Sequence, residues 1–193
     1  MVDGDKMSKS KGNFFTIDEV AHKFGADATR IALAAAGDTL DDANFTLENV
    51  DSSILQLSTL EMWAKDAVKN FSGFREKSLD ENIEFFDNTF ANEIMHLTIQ
   101  TLESYEAMRY RDVLKWGFFE FQAIKDDYKF QCGNAGLRKD LVAKYLEYQL
   151  LLLYPIAPHF CEIMYRDLVF DILPKDSNAP KYISLHRLPK VDF

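Results

Sequence analysis

Cysteine, proline and glycine are scarce in this chain of 193 residues, at 2, 5 and 8. The two cysteines, Cys132 and Cys161, are far apart and have no metal-type spacing. That argues against a disulfide framework or a zinc site and fits a reducing compartment. Few helix breakers favour long helices over many short strands. Positive charge is also short, with 22 Lys and Arg against 31 Asp and Glu and a net charge of −9. This is the wrong overall sign for a nucleic-acid binder and leaves room only for a local basic stripe. No apolar run approaches membrane-spanning length: Leu150 to Tyr154 is far too short. The first residues, Met1-Val2-Asp3-Gly4-Asp5, are polar and acidic, unlike a signal peptide. Nucleotide-binding G-x-G-x-x-G and Walker loops, H-E-x-x-H and paired Cys-x-x-Cys motifs are missing. His22, His96, His159 and His186 are scattered, with no triad-like context.

What is present is apolar and aromatic. Hydrophobic residues make up 47%, with 16 Phe, 8 Tyr and 2 Trp, enough for a sizeable core. After a Gly-, Ser- and Lys-rich loop over 1–15, Thr16 and Glu19 form a capping-box signature. It predicts a helix over 17–24 ended by a left-handed Gly25. Asp27 is expected to cap a second helix over 28–36, ended by Gly37. From Leu47 the spacing of Val50, Ile54, Leu57, Ala64, Val68 and Phe71 predicts a long helix closed by Ser72-Gly73. A polar connector covers 75–82. Further helices are expected over about 89–108, 112–130 and 137–153. Gly133-Asn134-Ala135-Gly136 breaks the chain before the last of these, which is apolar on nearly all sides and belongs at the bundle centre. Pro155 and Pro158 end it, and a shorter helix over 159–170 follows. The tail carries one possible strand, 182–185. The fold class is mainly α, two small helices and then an up-down bundle.

One segment concentrates cations: Lys6-Met7-Ser8-Lys9-Ser10-Lys11-Gly12-Asn13. Ammonium groups, hydroxyls and free backbone N–H groups are the donors a polyphosphate needs. On charge and composition alone, a solvated basic loop is the favoured reading, since short basic runs are common. Its order, however, matches the signature loop of class I aminoacyl-tRNA synthetases through Ser10, followed at a matching distance by Gly25-Ala26-Asp27-Ala28-x-Arg30. Gly37-Asp38-Thr39, Asp41-Asp42-Ala43-Asn44-Phe45 and Gly117-Phe118-Phe119-Glu120-Phe121-Gln122-Ala123 resemble the leucyl enzymes of cytosolic type. Leu152-Leu153-Tyr154-Pro155-Ile156-Ala157-Pro158-His159 resembles a helix break in the anticodon-binding bundle of the Leu, Ile, Val and Met enzymes.

The resemblance implies a signature loop and stem-contact region over 1–45, an anticodon-binding-type bundle over 46–173, and an extended tail over 174–193 leading to further domains. It implies a cytoplasmic ligase that joins leucine to tRNA-Leu, with ATP and Mg2+ as substrate and no bound cofactor or structural metal in this chain. Lys6 and Lys9 are the catalytic candidates, and Lys6, Met7, Ser8, Lys9 and Ser10 the ATP and pyrophosphate contacts. In that chemistry the amino-acid carboxylate attacks the α-phosphate, and charge grows on departing pyrophosphate. Candidate tRNA contacts are Arg109, Arg111, Lys115, Arg138, Lys139 and Lys144, against the alternative of a solvated helix face with i,i+4 pairs. The family's His-x-Gly-His element, leucine pocket and editing domain are not in these residues, so the chain alone is expected to be inactive. Met1 to Asp5 reads as an internal stretch of a longer protein. Residues 1–13 are expected to be mobile without a docking partner. Trp116, Phe118, Phe119 and Phe121 are read as core, His159 as a helix-start residue, and Tyr145, Tyr148 and Tyr154 as core residues with hydroxyls at its edge. The alternatives are an Ile, Val or Met enzyme, or a free-standing tRNA-binding or protein-interaction module without catalysis.

Overall fold

The computed structural model describes residues 1–37, 43–77, 80–174 and 179–189. The main helices are α1 (Ile17–Phe24), α2 (Ala26–Ala36), α3 (Leu47–Lys69), α4 (Glu81–Glu106), α5 (Tyr110–Leu114), α6 (Phe121–Cys132), α7 (Lys139–Leu153) and α8 (Pro158–Met164). A π-helical segment, Lys115–Glu120, joins α5 to α6, so one rod replaces the single regular helix expected over 112–130. No strand occurs among the described residues, and the expected strand over 182–185 is a 3-10 turn, Ile183–Leu185.

Local chemistry sets the boundaries. Thr16 Oγ1 accepts from the Glu19 N–H and the Glu19 carboxylate accepts from the Thr16 N–H, so α1 starts where the capping box requires. Those bonds from Thr16 hold the Glu19 carboxyl below the usual carboxylate range. Gly25 takes φ 83°, but with ψ 150° it is an extended corner rather than a left-handed cap. α2 therefore begins at Ala26, and Asp27 does not cap it. α4 begins eight residues earlier than its apolar pattern suggests, because Asp80 accepts from the Asn82 and Ile83 N–H groups.

α7 is the centre, with ten of its fifteen residues buried. A helix apolar on all sides has nowhere to sit but inside. The surrounding layer is α3, α4, the π segment with α6, and α8. Tyr145 is fully buried, so its hydroxyl lies inside the core rather than at its edge, and donates to Gln149 Oε1 at 3.1 Å. Gln149 in turn donates to the Gly117 carbonyl at 2.7 Å. The π segment frees that carbonyl from regular helical bonding. Gly117 is also the contact point with α4: a Cβ there would lie 2.7 Å from Thr101 Cγ2. Phe118 and Phe121 are core residues as expected, whereas Phe119 is 41% exposed.

A second polar feature sits at the opposite end of α4. Asp87 is fully buried and receives Arg75 Nη1 at 2.9 Å and the Tyr128 hydroxyl at 2.6 Å. Arg75 Nε also donates to the Gly136 carbonyl at 2.9 Å. A short parallel bridge, Arg75 with Arg138, ties the chain after α3 to the start of α7. Burial pushes the Asp87 carboxyl up, but the bonds from Arg75 and Tyr128 and the charges of Arg75 and Arg138 outweigh it and hold it low.

Beside this core lies a small one: Val20, Ala32, Phe45 and Val50, with Phe15 and Phe24 packed against it. Phe15, Phe24 and Phe45 meet edge to face, with centroids 6.1–6.4 Å apart. This satellite core carries the N-terminal loop.

Candidate signature-loop site and nucleic-acid interface

The loop begins as a tight turn. Val2 and Asp5 exchange backbone hydrogen bonds, both at 2.9 Å, with Asp3 at φ 46° and Gly4 at φ 87°. An Asp-Gly pair favours such a turn, and this signal was available in the sequence. The turn is tied to the chain before α3: Asp3 N–H donates to the Phe45 carbonyl, and Phe45 N–H to that of Met1. Gly4 N–H donates to Asn44 Oδ1 at 2.9 Å, and Val2 is buried. Residues 1–5 are thus hydrogen-bonded to the chain at Ala43, Asn44 and Phe45, a surface that the expectation for residues 1–13 did not include. Half of the leucyl-type stretch Gly37-Asp38-Thr39 and Asp41-Asp42-Ala43-Asn44-Phe45 falls within residues 38–42, which lie outside the described residues.

Lys9, Ser10 and Lys11 form one 3-10 turn closed by Gly12 at φ 72°, whose N–H donates to the Lys9 carbonyl. The left-handed φ requires glycine or a strained residue here, a conformational reason for Gly12. Lys6, Lys9 and Lys11 are exposed, and among the described residues none is paired with a carboxylate. Ser8 and Ser10 hydroxyls lie 2.9 Å apart. Met7 turns towards an apolar groove of about 450 Å³ with Val2, Phe15, Ile17, Val20 and Leu33. The five signature residues therefore stand together on one tethered loop.

The six candidate tRNA contacts fall into two groups. Arg109, Arg111 and Lys115 follow the end of α4, where Arg109 N–H donates to the Ser104 carbonyl. Arg109 lies 3.4 Å from Asp112, and the Lys115 ammonium stands 4.0 Å over the Trp116 ring. Arg111 and Lys115 line a hollow with Ala35 of α2 and Asn49 of α3, on the side of the loop's platform. Arg138 and Lys139 lie at the other end of α4, roughly 26 Å away at 1.5 Å per residue. Arg138 grips Asp140 through two bonds of 2.6 Å and stands 3.7 Å from Asp87. Lys139 pairs with Glu76 at 3.0 Å. Lys144 lies over Tyr148, 5.3 Å from the ring centroid. Arg138 and Lys139 thus link the start of α7 to other elements, whereas the contact of Lys144 stays within its own helix.

Two strings read separately in the sequence meet in space. Arg30 of α2 donates to the Ile156 carbonyl at 2.6 Å and the Pro155 carbonyl at 2.9 Å, across the corner between α7 and α8. Asp27 accepts from the Phe160 N–H at 2.6 Å and lies 3.1 Å from His159 Nδ1. It caps α8, not its own helix. His159 is indeed at a helix start, and its ring is largely exposed. This long-range pairing has no local signal, because a cap is normally sought next to its own helix.

Residues 87–193 match the family of anticodon-binding domains of tRNA ligases, and residues 2–46 match class I tRNA synthetases (I, L, M and V). The chain belongs to the tRNA-ligase family. It is 46% identical over 169 residues to the cytoplasmic leucine–tRNA ligase of Saccharomyces cerevisiae, a match covering 88% of this chain and 15% of the relative. The cytoplasmic leucine–tRNA ligase of Pongo abelii is 43% identical over 162 residues, 84% of this chain and 13% of the relative. That of Neurospora crassa is 38% identical over 192 residues, 98% of this chain and 16% of the relative. The chain thus spans about 15% of the length of the curated relatives it matches. No helix among its described residues is long and apolar enough to cross a membrane.

Proposed function

We propose that this chain works within a cytoplasmic leucine–tRNA ligase, supplying the loop that stabilises departing pyrophosphate and a helical bundle that holds tRNA-Leu. One observation carries the reading. In a chain of net charge −9, the ammonium groups of Lys6, Lys9 and Lys11 stand on a shaped, tethered loop with no carboxylate partner among the described residues. Such cations are available to a polyphosphate rather than spent internally.

The substrate is ATP with Mg2+. When the leucine carboxylate attacks the α-phosphate, the bond to the β-phosphate oxygen breaks and negative charge grows on pyrophosphate. An ammonium already in place gains more from that charge than from the ground state, which lowers the barrier. Lys9, at the first position of the 3-10 turn, is the principal group. Lys6 adds a second charge, and the Ser8 and Ser10 hydroxyls and Met7 shape the loop. Arg109, Arg111 and Lys115 are the tRNA-phosphate candidates nearest the loop's platform, and Arg109 meets Asp112 at 3.4 Å whereas Arg138 grips Asp140 at 2.6 Å and Lys139 meets Glu76 at 3.0 Å. Residues 1–45, 46–173 and 174–193 act as loop platform, bundle and tail.

The test is Lys9→Ala in the full-length ligase, read by ATP–pyrophosphate exchange. Loss of one such charge lowers kcat by about 10²–10³-fold. Exchange at the parental rate defeats the assignment.

A further inference from the structure

The signature residues, with the Ser8 and Ser10 hydroxyls 2.9 Å apart, do not carry the loop's shape alone. The Asn13 side chain closes it from outside the pentapeptide. Asn13 Oδ1 accepts from the Ser8 N–H at 3.0 Å, and Asn13 Nδ2 donates to the Lys6 carbonyl at 3.0 Å. The two bonds fix the amide's orientation, since an N–H needs an acceptor and a carbonyl needs a donor. They bracket Met7, and Asn13 and Ser8 are half-buried while the lysines are exposed. Beyond Ser8 the only turn is the three-residue 3-10 segment, whose own backbone bonds are long: 3.3 Å from Lys11 N to the Ser8 carbonyl and 3.2 Å from Gly12 N to the Lys9 carbonyl. So short a turn does not hold itself.

We propose that Asn13 is a positioning residue for Lys9: its amide staples the two ends of the loop and so sets where the Lys9 ammonium stands when pyrophosphate departs. The proposal rests on the role given above to Lys9. It names a residue that acts through Lys9 and touches no substrate. The geometry demands both halves of the amide. Asn13→Asp keeps an acceptor for the Ser8 N–H but sets a carboxylate oxygen against the Lys6 carbonyl. Asn13→Ala removes both bonds. Neither glutamine nor serine reproduces the two contacts at this reach.

Two measurements test it. In the 193-residue chain, limited trypsin digestion with mass-spectrometric readout follows cleavage after Lys6 and Lys9. Each net hydrogen bond is worth roughly a factor of five in an opening equilibrium, so both variants are cut about five- to twentyfold faster at those sites, with cleavage elsewhere unchanged. Equal cleavage rates remove the staple from the account. In the full-length ligase, ATP–pyrophosphate exchange is compared for the parent, Lys9→Ala, each Asn13 variant and the Lys9→Ala double variants. The Asn13 variants alone lose about 10- to 100-fold in kcat, with a smaller change in KM for ATP. On top of Lys9→Ala they lose little more, because the group being positioned is gone. An Asn13 effect that multiplies fully with Lys9→Ala, or Asn13 variants that turn over like the parent, overturns the proposal and leaves the role of Lys9 standing. A full-rate Lys9→Ala enzyme instead sinks the role of Lys9 itself, and the trypsin result still decides whether the staple exists.

Discussion

Asp87→Asn isolates the buried charge at the end of α4 that joins three elements. The substitution keeps shape and an acceptor for the Tyr128 hydroxyl but removes the negative charge that faces Arg75. Removing one partner of a buried ion pair costs about 3–5 kcal/mol, most of it from the charge left behind. Arg75 keeps 16% side-chain exposure and its bond to the Gly136 carbonyl, which places the loss near the lower end, about 3 kcal/mol. For a chain of this size that is roughly 6–12 °C in Tm. Arg75→Met is the harsher partner, because Asp87 is fully buried and retains only the Tyr128 hydroxyl and Arg138 at 3.7 Å.

The parent and Arg75→Met respond to pH with opposite sign at this site, and Asp87→Asn has no carboxyl there to titrate. In the parent the Asp87 carboxyl is held low, so the unfolded chain takes up the proton first. Its contribution to stability is complete above about pH 4 and drains as pH falls through the native value. Without Arg75, burial dominates and the carboxyl is pushed up. The deficit of Arg75→Met is then largest at neutral pH and shrinks as acid neutralises the buried group. Thermal melts of all three proteins between pH 4.5 and 7.5 decide the matter. Asp87→Asn melting within about 2 °C of the parent, or Arg75→Met recovering nothing in acid, would refute the reasoning.

Gly117→Ala drives a methyl to within 2.7 Å of Thr101, whose hydroxyl is already bonded to the Leu97 carbonyl. A loss of about 1–3 kcal/mol in denaturant titration is expected, with relief when Thr101 is also reduced to alanine. Arg30→Met removes two donors to the α7–α8 corner and should cost about 1.5–3 kcal/mol by chemical denaturation, while Arg30→Lys recovers only part of it. Replacing Arg109, Arg111 and Lys115 together by alanine should weaken tRNA binding and lower the salt slope of log Kd by about 2–3. The Arg138→Ala and Lys139→Ala pair should leave that slope within about 1 of the parent and reduce the melting temperature instead.

What was legible follows from where the determinants lie. α1 could be bounded to the residue because Thr16 and Glu19 are three positions apart and act on each other. α7 was recognisable as the central helix from its unbroken apolar run. The start of α4 was missed because Glu81 to Asp87 looks like a solvated connector, whereas Asp87 is among the most buried residues in the chain. Charge in a sequence indicates water unless the partner is known, and Arg75 and Tyr128 come from other elements. The π segment was invisible for the same reason: Gly117 and Gln149 make sense only after Thr101 and α7 are in place. In the signature loop, the five residues were found as a string. The turn at Asp3-Gly4 and the Asn13 contacts, which give that string a shape, were local enough to have been found from turn chemistry.

The joint between α2 and the α7–α8 corner shows why two distant strings occur in one chain. Tyr154 to Ala157 turns the chain between helices, and the Pro155 and Ile156 carbonyls in this turn take their donors from another element. Arg30 supplies two from a single planar fork, which a lysine ammonium does not match. Pro158 brings no N–H to the first turn of α8, and Asp27 accepts at Phe160, two positions further in. The same helix that closes this corner packs Ala32 into the small core with Phe45, which in turn holds the first turn of the loop. One short helix therefore serves both places: Asp27 and Arg30 satisfy the corner's polar groups, and Ala32, two positions on, packs into the apolar platform beneath the loop.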